Sequence, residues 1–174
     1  MPSAAVSVRP ARPSDAAAIA RVQLETWRAA YSDVLPAAAL ALDAADVEAA
    51  WGQAVGAPPS PYHRVLVAVD GAEVVGLAAC EPATDEDLDA PAAELTVLLV
   101  EPRWGRRGHG SRLLAAAVDL WREDQVSLAV TWVFETDAVV EGFLTAAGWA
   151  ADTMGRTLEA DGASVRQRRW HTAL

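Results

Sequence analysis

The stretch from Glu94 to Phe134 limits the possible folds more than any other part of the chain. Residues 94–100 are nearly continuous in apolar residues, the pattern of a strand buried on both faces. Residues 107–122 carry Leu113, Leu114, Ala117, Val118 and Trp121 at helical spacing. Residues 126–134 form a second buried run. A strand, a helix and a strand in this order make a right-handed crossover whose two strands lie parallel in one sheet.

The flanking segments read as antiparallel. Residues 6–9 are an opening strand closed by Pro10 and Pro13, and Ser14-Asp15 stands where a helix N-cap belongs. Ala16, Ile19, Ala20, Val22, Leu24 and Trp27 continue at helical spacing. One further helix is expected from Pro36 toward Val55, with Leu40, Val47 and Trp51 on its stripe, before Pro58, Pro59 and Pro61 break the chain. Residues 64–69 and 73–80 are β-branched, apolar runs joined by Asp70-Gly71, a strong hairpin signal. A polar, acidic loop covers residues 81–91. Residues 137–147 form a short helix for which Gly148 is a suitable C-terminal cap. Two last strands, residues 151–159 and 163–172, flank Asp161-Gly162. The reading is a single domain over residues 1–174, α/β (α+β) in class. Its mixed, mostly antiparallel sheet of about seven strands has helices on both faces.

Composition narrows the function. The chain has 174 residues and a net charge of −10, from 24 acids against 14 bases. That balance excludes a global basic footprint for nucleic acid and favours a cationic small-molecule or peptide partner. Cys80 is the single cysteine, so no intrachain disulfide or CxxC pair exists, and a small buried hydrophobe is its expected role. His63, His109 and His171 lack ligand spacing, and no metal site is expected. No apolar run reaches membrane-spanning length, and Met1 to Val8 shows no secretion signal, so a cytoplasmic location is expected. The chain contains no lysine and no asparagine, as a GC-rich coding genome would produce.

The chemistry points to residues 100–112, Val-Glu-Pro-Arg-Trp-Gly-Arg-Arg-Gly-His-Gly-Ser-Arg. A buried strand ends, a glycine-rich loop follows and a helix begins. Glycines let the backbone approach a ligand closely, and the free N–H groups at a helix start favour anions. Arg103, Arg106, Arg107 and Arg112 stand here against Glu101 alone. In a chain this acidic, such a local excess of positive charge argues for a phosphorylated ligand. A Walker loop needs a lysine the chain lacks. The glycines at 105, 108 and 110 are spaced GxxGxG, unlike the GxGxxG of dinucleotide folds.

Residues 95–114 resemble the acetyl-CoA-binding motif of the GNAT N-acetyltransferases: a strand, Val-x-Pro, Gln/Arg-x-x-Gly-x-Gly/Ala, then a helix. Val8-Arg9-Pro10-Ala11 with Ser14-Asp15 is similar to the family's opening strand and first-helix cap. Trp27-Arg28-Ala29-Ala30-Tyr31 with Leu35-Pro36 is similar to the end of its first helix, and the segment from Phe143 to Trp149 to its late Phe-Tyr-x-x-x-Gly-Phe segment. The resemblance covers nearly the whole chain in order. It implies the GNAT fold, with a splayed central parallel strand pair, and acetyl transfer from acetyl-CoA to a primary amine by direct attack. No metal and no covalent enzyme intermediate are implied, since Cys80 lies on the wrong strand to match any family nucleophile. By match, Leu98, Leu99 and Val100 would contact the pantetheine arm, with Phe143 close by. Gly105, Arg106, Arg107, Gly108, His109, Gly110 and Ser111 would cradle the pyrophosphate. A backbone N–H near Leu98 would stabilise the oxyanion. Many members dimerise, and the sequence does not fix the oligomer.

Three positions depart from the family pattern. Gly105 replaces the usual Gln or Arg. Asp137 stands where many members carry an asparagine that touches the cofactor arm; an aspartate can only accept hydrogen bonds, and it can also cap its helix. Leu144 stands where many carry the tyrosine that protonates the departing thiolate. Glu94 matches a position where several members place an acid, which makes it the candidate general base, with a solvated carboxylate as the alternative. Glu135 and the loop acids Asp85, Glu86, Asp87 and Asp89 are weaker candidates, better suited to an acidic face. Trp27 and Tyr31 are candidates for the acceptor pocket, or core. The rival functions are a non-catalytic acyl-CoA-binding sensor and an acidic interaction module.

Overall fold

The structure is a computed structural model describing residues 6–174; the Met1–Ala5 part of the stretch read for a secretion signal lies outside the described residues. Seven strands form one sheet: β1 (Val6–Pro10), β2 (Arg64–Asp70), β3 (Glu73–Pro82), β4 (Ala92–Val100), β5 (Leu128–Phe134), β6 (Ala150–Ala160) and β7 (Ala163–Ala173). Their spatial order is β1-β2-β3-β4-β5-β7-β6. Every neighbouring pair is antiparallel except β4 and β5. The helices are α1 (Ala16–Tyr31), α2 (Ala37–Leu40), α3 (Ala44–Gly56), α4 (His109–Glu123) and α5 (Ala138–Ala146). Among the described residues no helix is long and apolar enough to cross a membrane.

Strand side chains alternate between the sheet's faces, and each face carries its own core. Leu66, Ala68, Val75 and Ala78 pack with Leu113, Leu114, Ala117 and Trp121 of α4 and with Leu144 of α5. Val67, Val74, Leu77 and Leu99 meet Ile19 and Val22 of α1 on the opposite face. Cys80 is buried as expected, and burial pushes its thiol up to about 12, with Arg64 opposing.

Two local expectations are corrected. The single helix expected from Pro36 toward Val55 is two helices, because Asp43 starts a new one. Its carboxylate accepts the N–H groups of Ala45 and Asp46 at 2.8 and 3.2 Å, which satisfies the first donors of α3. Ser14-Asp15 is no side-chain cap of α1. A 3-10 turn, Pro13–Asp15, precedes the helix, and the Asp15 carboxylate turns backward. It accepts both terminal nitrogens of Arg9 at 2.7 and 3.0 Å and the N–H of Arg12 at 2.7 Å, locking β1 to the start of α1.

The close approach of β3, β4 and α4 needs Gly76. A Cβ there would lie 2.8 Å from the Leu99 carbonyl oxygen, 3.2 Å from Leu113 Cδ1 and 3.2 Å from Val100 Cγ2. The Leu99 oxygen belongs to the backbone of β4 and cannot rotate away. Gly76→Ala is therefore expected to destabilise the protein by about 1–3 kcal/mol through overpacking. Urea denaturation checks it, the midpoint falling at constant slope.

Candidate active site

The parallel contact between β4 and β5 lasts only three residue pairs, Ala92↔Leu128, Ala93↔Ala129 and Glu94↔Val130. Beyond Glu94 the strands part. The other edge of β4 follows β3 with a bulge, where Cys80 pairs with Leu95 and Ala79 with Val97. Thr96 is the extra residue, and its hydroxyl donates to the Ala79 carbonyl at 3.2 Å. A bulge bends and twists its strand, which steers β4 away from β5. The resulting cleft of about 260 Å³ is lined by residues 95–99 and 131–134, with Trp27, Tyr31, Val140, Leu144, Leu158 and Gln167.

The glycine-arginine loop closes one end of this unit. The N–H of Glu101 donates to the Val75 carbonyl at 2.9 Å, and a 3-10 turn, Pro102–Trp104, follows. Arg106 and Gly108 have φ of 60° and 80°. Gly108 is the natural residue for that conformation, which Arg106 adopts as a non-glycine residue. No backbone acceptor within α4 is available to the N–H groups of His109, Gly110 and Ser111, the first three residues of the helix. Arg106 and Arg107 are exposed, and Arg107 stacks on Trp104 at 4.8 Å. The other two arginines are engaged in building the loop. Arg112 donates to the Arg107 carbonyl at 2.9 Å, and Arg103 pairs with Glu101.

Glu101 is 2% exposed and accepts charged hydrogen bonds from Arg21 of α1 and from Arg103. Burial opposes its ionisation, but the two guanidiniums outweigh burial and hold the carboxyl below the usual carboxylate range. His109, counted in sequence among the phosphate contacts, turns its ring inward. It is 1% exposed, edge-on to Trp104, with Nε2 3.4 Å from Asp70. Burial keeps it below the usual imidazole range. His109 can therefore meet an anion only through its backbone. Ser111 and Phe143 line a groove of about 460 Å³ between α4 and α5.

Asp137 caps its helix. One carboxylate oxygen accepts the N–H of Val140 at 3.0 Å, and the other accepts the Tyr31 hydroxyl at 2.9 Å. Tyr31 packs edge-on against Phe134. Burial and the Asp137 charge push its phenol well above the usual range, so it stays protonated. Tyr31 and Trp27 thus both reach the cleft, and the phenol lining it comes from α1. Leu144 brings none from α5.

Glu94 stands at the last parallel pair, half-buried. Burial raises its carboxyl above the usual range, Arg156 opposes this, and Asp85 and Glu81 add to it. The loop acids are less free than their sequence suggests. Arg169, 4% exposed, donates to Asp87 at 2.8 and 2.6 Å and to Asp152 at 2.7 Å, and lies 3.6 Å from Asp85. The acidic loop is folded onto this one cation. Glu135 lies away from the cleft lining, 3.5 and 3.7 Å from Arg166 and Arg168. The sequence reading missed Arg169, Arg156 and Gln167. The one available signal was the alternation in residues 166–170, which turns Gln167 and Arg169 to one face.

A profile of the acetyltransferase (GNAT) family matches residues 21–149. The chain belongs to the GNAT acetyltransferase family. Solved structures agree on the fold of this GNAT domain. The PaiA N-acetyltransferase of Thermoplasma acidophilum, in complex with coenzyme A, superposes with a TM-score of 0.77 at 14% identity. The match covers 98% of this chain and 99% of that one. YncA of Salmonella typhimurium, with its cofactor acetyl-CoA, gives 0.72 at 18% identity over 97% and 94%. The ribosomal-protein-alanine N-acetyltransferase of Brucella melitensis gives 0.71 at 18% over 97% and 99%. Comparison with curated proteins finds no match by sequence.

The Glu101 cluster holds the GNAT loop, and its removal has a defined signature. Glu101→Gln is expected to lower stability by about 1.5–3 kcal/mol at neutral pH, the range for hydrogen bonds to charged groups. A carboxyl held low in the folded state stabilises above its unfolded value, about 4.3. That contribution disappears as pH falls through the lower folded value. The gap between wild type and Glu101→Gln, followed by thermal unfolding from pH 7 to pH 3, should close on the acid side.

Proposed function

We propose that this GNAT domain is an N-acetyltransferase that moves the acetyl group of acetyl-CoA to a primary amine by direct attack. The observation that carries the reading is the β4–β5 split, which ends at Glu94 on one side and opens toward the loop at residues 105–111 on the other. The split leaves one backbone edge of β4 without a strand partner, and unpaired backbone groups there suit the amides of a pantetheine arm. The helix start and the exposed Arg106 and Arg107 suit a pyrophosphate.

Acetyl-CoA, when bound, supplies the thioester carbon that the amine attacks. Glu94 takes the proton that an ammonium must lose before attack, and its raised carboxyl makes it a better base than an ordinary glutamate. The backbone N–H at Leu98, beside the bulge, receives the negative charge that develops on the carbonyl oxygen. The new C–N bond forms as the C–S bond breaks. A thiol ionises near 8.5, about where cysteine does, so the thiolate leaves without a dedicated acid. The absence of a phenol at Leu144 is tolerable for that reason. An acceptor amine is cationic in solution, and a chain of net charge −10 attracts it.

Acetyl-CoA and free CoA, but not NAD, should raise the unfolding temperature. At about 100 times the dissociation constant the stabilisation is about 2.7 kcal/mol. Thiol release in the presence of amines should follow. Binding without thiol release from any amine would assign an acyl-CoA sensor, and no binding would overturn the reading. The base is active when ionised, so kcat/KM should fall as pH drops through the raised Glu94 value. Glu94→Gln should lower the rate by about 100-fold or more and remove that limb of the pH profile.

A further inference from the structure

Two guanidinium groups stack on Trp132, a residue that lines the cleft, and they are used differently. Arg169 lies 5.9 Å from the ring centre and spends its donors on Asp85, Asp87 and Asp152. Arg156 lies over the ring at 4.4 Å. Its Nε donates to Gln167 Oε1 at 2.7 Å, and Gln167, itself 7% exposed, also lines the cleft. The stack and the hydrogen bond fix the plane and heading of the Arg156 fork. Among the described residues, its two terminal nitrogens have neither a hydrogen-bond acceptor nor a carboxylate within 4 Å. Arg156 and Gln167 face each other across β6 and β7, and Gln167 faces Phe134 of β5. The exposed Arg156 side chain therefore lies on the same side of the sheet as Trp132, beside two cleft-lining residues, and it also lines a shallow pocket with Glu135, Arg166 and Arg168.

We propose that Arg156, held by Trp132 and Gln167, binds a carboxylate on the acceptor, which makes the acceptor a small amino acid or a close analogue whose amine lies toward Glu94. This rests on the amine-acetyltransferase reading and names its substrate class. An immobilised guanidinium with free terminal donors matches a carboxylate in a two-bond fork. A doubly charged phosphate fits worse. Glu94 and Asp85 both act on Arg156, and Glu81 and Asp85 act on Glu94, so the surrounding field is negative. Arg169 is already engaged by Asp85, Asp87 and Asp152, which leaves Arg156 as the cation with free donors near Glu94, and that pairing suits a zwitterion, whose ammonium the carboxylate holds and whose single negative charge the fork holds. Trp132 supplies an apolar wall for the acceptor's side chain.

The test compares matched acceptors, free amino acids against their carboxamides and their decarboxylated amines. Wild type, Arg156→Gln and Arg156→Lys are assayed by thiol release from acetyl-CoA. Wild type should prefer the free acids by about 10–100-fold in kcat/KM, the value of one charge-assisted fork. Arg156→Gln should lose that preference through KM on the free acids; the preference is read as a ratio within each variant, so an effect on Glu94 or on stability common to all acceptors cancels. Arg156→Lys should fall between, since an ammonium restores charge without the fork. Equal or better turnover of carboxamides by wild type overturns the inference and leaves the acetyltransferase intact, as does an undiminished preference in Arg156→Gln. Turnover of no amine overturns the acetyltransferase reading. The anion site is then read from unfolding of the CoA-loaded protein. A shift with free amino acids in wild type and none in Arg156→Gln upholds the site, and no shift in wild type overturns it.

Discussion

β4 and β5 pair through residue 94 and 130 and then separate, and the backbone of β4 beyond Glu94 faces a cleft instead of a strand. Unmet backbone groups are costly away from water, and nearly all are paired in folded proteins. A sheet split at its centre therefore leaves backbone groups of β4 open to water or to a ligand. The rest of the molecule keeps the split from closing. The Thr96 bulge turns β4 away, the side chains of Trp27, Tyr31, Val140 and Leu144 occupy the wedge, and the hairpin of β6 and β7 buttresses the free side of β5.

Charge is distributed with the same economy. The chain is strongly acidic, yet its loop faces solvent with Arg106 and Arg107. The other two loop arginines face inward tasks, Arg103 toward Glu101 and Arg112 toward the Arg107 carbonyl. Arg21 carries the Glu101 link across to α1, and its second terminal nitrogen donates to the Val74 carbonyl at 2.9 Å. The loop is thus shaped by contacts within the protein, and a ligand of the proposed kind would meet it with little left to order. The acidic loop at residues 81–91 is handled in the opposite way, drawn onto Arg169 at the far end of the cleft.

What could be read from the sequence was local. The strand, glycine loop and helix at residues 94–122 announce themselves through apolar runs, periodicity and glycine spacing within one short window. The hairpin at Asp70-Gly71 does the same, and Gly71 has the positive φ of 63° that such a turn requires. The break before α3 was visible as Asp43, yet the apolar stripe from Leu40 to Trp51 outweighed it. What escaped the sequence are pairs joined only by the fold. Tyr31 and Asp137 stand 106 positions apart, and Arg169 and Asp87 stand 82 apart. No periodicity links them. That the Asp137 cap also accepts a hydrogen bond from Tyr31 is visible only once α1 is seen to end beside α5. Likewise nothing in the run around Arg156 distinguishes a solvated arginine from one stacked on Trp132.

The order of strands in the sheet also bears on how the polypeptide is made. β7 is the last of the seven strands to leave the ribosome, yet it lies between β5 and β6. Until it emerges, the far edge of β5 is bare and β6 has no neighbour. The nascent chain must carry an open, apolar strand edge while the first four strands and α4 are already able to pack. Such an edge is a template for pairing with another chain, so the interval before β7 inserts is when this protein is most exposed to misassembly during synthesis.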